Sequence, residues 1–292
     1  MTERALIFEC EANRLVGILH VPGAVSERRL GVVVVVGGPQ YRVGSHRQFT
    51  LMARAFCAAG YPVLRFDYRG MGDSDGETRT FESVDADIRA AVDTLIASCP
   101  GLEGVILWGL CDAASACSMY LNRGDRRVQG LVLANPWVRT VAGEARAYIK
   151  HYYLQRLLQK SFWSKLLHGA FNPARALREL AGMYGRTRSD GGQGTGGQRP
   201  GGFVERMRAG LAKFPAPVLL LLSEVDLTAK EFQDHCGSRS EWQALLGASR
   251  IRTERLPGVD HTFSTENSLP DVARRCLDWM GGLSRARAGG NA

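Results

Sequence analysis

A cysteine lies where a predicted strand gives way to a predicted helix. The sequence GVILWG at 104–109 is typical of a buried strand, and residues 112–123 form a helix-like stretch rich in small side chains. Cys111 therefore falls at the sharp turn between them, where Gly109 and Ala113 supply the small neighbours that such a turn needs. A helix N-terminus stabilises negative charge, which favours the nucleophilic thiolate. We predict that Cys111 is a nucleophile.

A carboxylate and a histidine follow Cys111 at the ends of later predicted strands. Asp226 ends the segment PVLLLLSEVD (217–226), and His261 lies 35 residues further on, just after the predicted strand 250–258. Nucleophile, acid and histidine follow one another in the order found in hydrolases whose nucleophile sits on a strand-to-helix turn. In such a triad the histidine acts as the base and the acid orients its ring. We predict that His261 and Asp226 have these roles.

Three neighbouring residues are weighed against these candidates. Glu224 is an alternative acid, because it lies near the end of the same predicted strand. Asp260 is interpreted as a loop carboxylate, and Cys117, six residues beyond the proposed nucleophile, as a packing residue.

The backbone supplies the expected oxyanion donors. The N–H of Asp112, the residue after the nucleophile, is the first candidate. The second belongs to the loop after the strand 31–38, in the sequence Gly-Gly-Pro-Gln. Because Pro39 has no N–H, the donor is either Gly38 or Gln40, and we favour Gln40.

Metal and cofactor sites are not expected. The chain has seven cysteines, which form no C-x-x-C pair and belong to no His-rich cluster. They are Cys10, Cys57, Cys99, Cys111, Cys117, Cys236 and Cys276. No nucleotide-binding glycine motif follows the Gly-Gly pair. The sequence opens with no secretory apolar region, and its longest apolar run, 31–38, is too short to span a bilayer. We therefore expect reduced thiols and a cytoplasmic location.

Strand-like and helix-like segments alternate through the first half of the chain. GVVVVVGG at 31–38 is typical of a strand buried on both faces, FTLMARAFCAAGY at 49–61 of a helix, and PVLRFDYRG at 62–70 of another strand. This alternation predicts an α/β protein with a mostly parallel central sheet flanked by helices.

The alternation stops after residue 136. Residues 139–184 have the spacing of successive helices rich in large apolar groups, and 186–202 form a glycine-rich loop that we expect to be flexible. We interpret 137–214 as a helical lid inserted after the sixth strand. Its aromatic side chains form either the core of the lid itself or an apolar substrate pocket.

The positive charge of the chain is concentrated in this segment. Between Arg139 and Lys213 there are 14 Lys and Arg against 4 Asp and Glu, a net charge of +10, whereas the whole chain carries +8. We expect the lid to attract an anionic small-molecule or carrier-linked acyl substrate, or to contact anionic membrane headgroups peripherally. Nucleic-acid binding is not expected, because the basic residues share the segment with aromatic residues of a buried type.

The loop RFDYRGMGDSDG (65–76) has the pattern R-x-D-x-R-G-x-G-x-S-x-G. Together with the turn around Cys111, it resembles the α/β-hydrolase superfamily, over 31–136 and 215–283. The resemblance implies an α/β-hydrolase fold whose core is 1–136 and 215–285, with a disordered tail at 286–292. Cysteine replaces the usual serine of this family, and alanine replaces the last glycine of G-x-S-x-G, so ordinary esterase activity does not follow.

A narrower resemblance is based on GGPQYRVGSHRQF (37–49), GLCDAASA (109–116) and GVDHTF (258–263). These segments are similar to the exosortase A system-associated hydrolases, type 1, which implies a bacterial enzyme linked to exopolysaccharide or cell-envelope processes. We expect a hydrolase that cleaves an ester or thioester through an acyl-enzyme. The alternatives are an acyltransferase and a non-catalytic scaffold in envelope assembly.

Overall fold

The computed structural model describes residues 1–23, 28–38, 40–138 and 202–288, with side chains as far as residue 283. Within these ranges eight strands form one sheet: β1 (Thr2–Cys10), β2 (Asn13–Val21), β3 (Leu30–Val35), β4 (Val63–Phe66), β5 (Gly104–Leu110), β6 (Val128–Ala134), β7 (Val218–Val225) and β8 (Ile251–Asp260). The α-helices of the same ranges are α1 (Gln48–Ala58), α2 (Asp85–Ser98), α3 (Asp112–Tyr120), α4 (Phe203–Lys213), α5 (Leu227–Gly237), α6 (Ser240–Leu246) and α7 (Ser268–Ala288).

The sheet is mostly parallel, as predicted. Its strand order is β1-β2-β4-β3-β5-β6-β7-β8. The six strands from β4 to β8 in this order pair in parallel, and β1 and β2 pair antiparallel at one edge. Parallel neighbours require crossover connections, which the helices between the strands provide.

The core lies on both faces of the sheet. In β3, Val33 and Val35 belong to one hydrophobic cluster, while Val32 and Val34 belong to the other. Successive side chains of a strand point to opposite faces, so an unbroken valine run can be buried throughout. All six residues of β3 are buried. The prediction of a strand covered on both faces is confirmed.

Two elements were not predicted from the sequence. The edge strand β1 has charged residues such as Glu3 and Arg4 on a largely exposed surface, so its apolar pattern is weak. Helix α5 begins directly after Asp226, whose side chain caps it by accepting from the N–H groups of Thr228 and Ala229.

Most of the predicted lid (137–214), with its glycine-rich loop as far as residue 201, falls on 139–201, which lie outside the described residues, as do the last residues of the predicted tail, 289–292. The closing helix of the lid segment, α4, is described and packs against α3. Gly210 permits this close approach, because a Cβ at that position would overlap the carbonyl oxygen of Ser118. Among the helices of the described ranges, none has the length and apolarity needed to cross a membrane.

Candidate active site

The candidate catalytic residues meet at one edge of the sheet. Cys111 follows β5, Asp226 follows β7, and His261 follows β8. These strands run parallel, so their carboxyl ends lie side by side. Ligand sites of open α/β sheets form at this edge.

Cys111 sits in a strained turn. Its backbone has φ 60° and ψ −124°, a left-handed conformation that non-glycine residues rarely adopt. Its N–H donates to the carbonyl of Ala134 at 2.9 Å, and its own carbonyl accepts from the N–H of Trp137 at 3.2 Å. A Cβ at Gly109 would lie 2.7 Å from the carbonyl atoms of Ala113, so only glycine fits there. The hydrogen bonds and packing around Cys111 thus maintain a strained backbone conformation, which is characteristic of turns that carry a functional residue.

Asp226 holds the ring of His261. Its Oδ2 lies 2.9 Å from His261 Nδ1. The same carboxylate caps α5, since it accepts from the N–H groups of Thr228 at 3.0 Å and Ala229 at 3.3 Å. Asp226 is 7% exposed. Backbone donors therefore fix the carboxylate, which in turn fixes the ring, and Nδ1 carries the proton that it donates to Asp226.

His261 also contacts the sulfur of Cys111. The hydrogen bond with Asp226 raises the pKa of His261 to about 10, and the hydrogen bond with Cys111 acts in the same direction. The imidazole is thus strongly basic, as removal of a proton from a thiol requires. The described structure brings Cys111, His261 and Asp226 together, with the imidazole hydrogen-bonded to Asp226 and interacting with the sulfur of Cys111.

The neighbouring candidates lie in other environments. Glu224 is exposed and accepts from the N–H of Gly258 at 3.1 Å. Asp260 accepts from the N–H of Ser264 at 2.6 Å, within its own loop. Cys117 is fully buried in α3, and this burial raises the pKa of its thiol.

The candidate oxyanion donors of the loop after β3 have internal acceptors. The N–H of Gln40 donates to the carbonyl of Gly38 at 2.8 Å. The N–H of Gly38 donates to Oδ2 of Asp112, also at 2.8 Å. The sequence predicted a role only for the backbone N–H of Asp112, so the position of its carboxylate is an addition from the structure. The one available signal was an acidic residue in the first turn of a helix, where negative charge is favoured.

Two further contacts position this loop. The buried Asp67 accepts from the backbone N–H of Arg42 at 2.6 Å and forms an ion pair with its guanidinium. Nε2 of His46 lies 3.1 Å from Oγ1 of Thr262. The loop is thereby connected to the end of β4 and to the segment that carries His261, the candidate catalytic histidine. Asp67 is the aspartate of the R-x-D pattern in the sequence, so the motif contained a signal for this anchor.

Within the described ranges, no group of three or more His, Cys, Asp or Glu residues is placed to hold a metal ion.

Solved structures similar to this chain share its fold at low sequence identity. The esterase Pf2001 of Pyrococcus furiosus superposes with a TM-score of 0.63 at 14% identity, over 96% of this chain and 92% of that one. Est1E of Butyrivibrio proteoclasticus, solved with ferulic acid, gives 0.62 at 14% identity, over 96% and 100%. A dienelactone hydrolase of Anabaena variabilis gives 0.60 at 15% identity, over 96% and 97%.

No curated protein sequence matches the chain. A family model described as the alpha/beta hydrolase family matches residues 32–275, which include all three strand ends of the site. The predicted fold class is confirmed. The chain belongs to the alpha/beta hydrolase family.

Proposed function

We propose that this protein cleaves an ester or thioester bond of an acyl substrate through a covalent acyl-cysteine intermediate. Cys111 is the nucleophile, His261 the acid–base group, and Asp226 the residue that orients the imidazole. The observation that supports this most directly is the arrangement of Cys111: a positive-φ turn at the start of α3 beside a histidine that interacts with its sulfur and is itself held by a buried carboxylate.

The proposed reaction has two half-reactions. In the first, His261 takes the proton of the Cys111 thiol as the sulfur attacks the acyl carbonyl carbon. The tetrahedral intermediate then collapses as His261 gives that proton to the leaving group. In the second, His261 accepts a proton from water, whose oxygen attacks the thioester carbonyl. The free acid is released and the thiol regains its proton. Asp226 stabilises the imidazolium in both steps without itself being protonated.

Activated acyl groups suit this nucleophile best. Thiolates attack activated carbonyls readily, so we infer that thioesters and activated esters are better substrates than amides. Two of the similar structures are named an esterase and a dienelactone hydrolase, which favours an ester bond as the target. The predicted basic lid favours an anionic or carrier-linked acyl group.

Turnover of matched p-nitrophenyl esters and acyl thioesters tests this proposal. Replacement of Cys111 by alanine is expected to reduce kcat by at least about 10³-fold, because the covalent route is lost. Rapid acid quenching followed by mass spectrometry of peptides should find the acyl group on the peptide that contains Cys111. Cys117→Ala is the matched control: it removes a buried thiol from the same helix and should leave kcat within about twofold.

The outcomes separate the alternatives. Full turnover by Cys111→Ala would refute the mechanism. Product formed only when an acyl acceptor is added, with no free acid, would identify a transferase. Equal slow labelling of all seven cysteines by a thiol reagent, with no turnover of either substrate class, would favour a scaffold.

The cellular context is proposed from sequence resemblance. The similarity of 37–49 and of the turn around Cys111 to the exosortase A system-associated hydrolases favours a substrate from exopolysaccharide or envelope assembly. Release of acid from an O-acylated bacterial polysaccharide, compared with an acyl thioester at equal acyl concentration, tests this context. Activity on neither would remove support for it.

A further inference from the structure

The side chain of Asp112 accepts a hydrogen bond from a candidate oxyanion donor, the N–H of Gly38. Asp112 is the first residue of α3 and follows the nucleophile directly. Its Oδ2 accepts from the N–H of Gly38 at 2.8 Å. A Cβ at residue 37 would overlap Oδ1, so Gly37 leaves room for the carboxylate against the loop.

Acyl transfer needs backbone N–H donors that stabilise the developing oxyanion. The N–H of the residue after the nucleophile is one donor to the developing oxyanion, and the loop after β3 supplies the other. In this chain the N–H of Asp112 is the candidate for the first donor, and the N–H of either Gly38 or Gln40 is the candidate for the second. The N–H of Gln40 donates a hydrogen bond to the carbonyl of Gly38, and the N–H of Gly38 donates one to the carboxylate of Asp112. One of the two candidate donors of this loop is thus already bonded to the carboxylate of Asp112.

We propose that Asp112 restrains catalysis by occupying the N–H of Gly38, a candidate oxyanion donor, with its carboxylate, so that full acylation of Cys111 requires the carboxylate to be displaced or protonated. The inference rests on the proposed function and adds a residue that limits the rate of acylation. When the carboxylate leaves, Gly38 becomes the second oxyanion donor, which decides between the two candidates of the loop. A neutral Asp112 no longer repels the oxyanion, and it can donate its own proton to that oxygen.

The charged surroundings of Asp112 define its pH response. Burial raises the pKa of its carboxyl, while the hydrogen bond from Gly38 and the charge of His261 act in the opposite direction. Tyr68 also faces the carboxylate and has its own pKa raised, first by burial and then by the charge of Asp112. Cys111 is the adjacent residue in the chain. The neutral form of Asp112 is therefore reached at a higher pH than for an ordinary aspartate.

Two substitutions and two reagents test this role. Asp112→Ala removes the carboxylate, and Asp112→Asn keeps its shape and one acceptor oxygen without the charge. Acylation of Cys111 by p-nitrophenyl acetate forms an oxyanion, whereas alkylation by iodoacetamide does not. The ratio of the two rates therefore reports on the oxyanion donors separately from the reactivity of the thiol.

We expect the acylation-to-alkylation ratio at pH 8 to rise by at least about tenfold in Asp112→Ala, up to about 10²-fold, since one oxyanion donor changes kcat by 10²–10³. Asp112→Asn should give a smaller rise. Both gains should shrink toward one as the pH falls and the wild-type carboxyl takes up a proton. A purely structural role would instead lower the ratio in Asp112→Ala at every pH.

Asp85→Ala is the matched control, because it removes an acidic residue from the first position of another helix, α2, and should leave the ratio unchanged. Thermal unfolding of each variant confirms that it is folded. Normal acylation of wild-type Cys111 without a gain in either Asp112 variant would overturn the inference and leave the proposed function intact. No acylation of Cys111 in any variant, despite selective alkylation, would overturn both.

Discussion

Substitution of Asp226 separates two functions that this carboxylate combines. It caps α5 through the N–H groups of Thr228 and Ala229, and it holds the ring of His261. Asparagine is as good an N-cap as aspartate, whereas alanine is not. Asp226→Asn therefore retains the cap and loses the charge, and Asp226→Ala loses both.

The expected magnitudes follow from these contacts. Loss of the cap in Asp226→Ala costs about 1 kcal/mol of unfolding free energy. The lost hydrogen bond to the charged ring adds up to about 1.5 kcal/mol, at the low end because the His261 side chain is 35% exposed. Asp226→Asn should cost about 0.5 kcal/mol or less through the cap. Its amide NH₂ would face Nδ1 of His261 and favour the wrong tautomer, so kcat should fall by about 10⁴-fold, as in other triads.

Urea denaturation and single-turnover acylation measure the two effects on the same preparations. Almost no activity is expected in either variant, and the urea midpoint should fall less in Asp226→Asn, which keeps the cap, than in Asp226→Ala, which also loses it. If Asp226→Asn retains kcat within threefold, His261 is not oriented by this carboxylate. If the two variants are equally destabilised, the cap has been assigned to the wrong residue.

The same pair of residues sets a pH dependence of stability. The pKa of His261 is raised from 6.5 to about 10 in the folded chain, so the folded state binds more protons than the unfolded state between these values. Its stabilising contribution is complete below about pH 6.5 and is lost as the pH rises through about 10. Because Asp226 is the main cause of the shift, Asp226→Asn should flatten this part of the stability profile.

Three further predictions concern the thiol, the imidazole and the turn. Iodoacetamide should alkylate Cys111 at least about tenfold faster than any other cysteine, because burial raises the pKa of the other six thiols. Mass spectrometry of peptides after short labelling times checks this, and faster labelling of Cys117 would contradict it. The ring of His261, followed by NMR, should titrate near pH 10 in the wild type and at a lower pH in Cys111→Ala, because the hydrogen bond to sulfur is lost; an unchanged titration would show that the two side chains do not interact. Gly109→Ala should lower the unfolding free energy by about 1–3 kcal/mol, because its Cβ would lie 2.7 Å from the carbonyl of Ala113; a wild-type urea midpoint would mean that the turn adjusts freely.

The parts of the fold with strong internal periodicity could be predicted from the sequence. β3 and β5 are buried on both faces, so their apolar runs are continuous, and the helices between parallel strands have clear apolar spacing. β1 could not be predicted in this way, because it is an edge strand with mixed exposure whose partner, β2, supplies the pairing. Helix α5 begins at the capping carboxylate of Asp226, a residue whose position at a strand end predicted only a catalytic role.

The candidate triad could be predicted because each member lies at a strand end. One glycine–cysteine turn, one strand-terminal aspartate and one histidine after the last strand are enough once the strands are known to be parallel. The direction of the Asp112 side chain could not be predicted in the same way. Its acceptor contact with Gly38 joins residues 74 positions apart, and it depends on how closely the loop after β3 approaches the turn.

The charges around Cys111 limit how a substrate can bind. Asp226 and Asp112 place two carboxylates beside Cys111, and His261 supplies the one positive charge among these four side chains. An anionic group would therefore be repelled at the turn itself, where only a neutral acyl carbonyl can approach. The proposal of an anionic or carrier-linked substrate is consistent with this site only if its charge binds at a distance from Cys111. Because acylation creates a further negative charge at the same place, neutralising Asp112 has its largest effect in the transition state, where it raises kcat rather than the affinity for substrate.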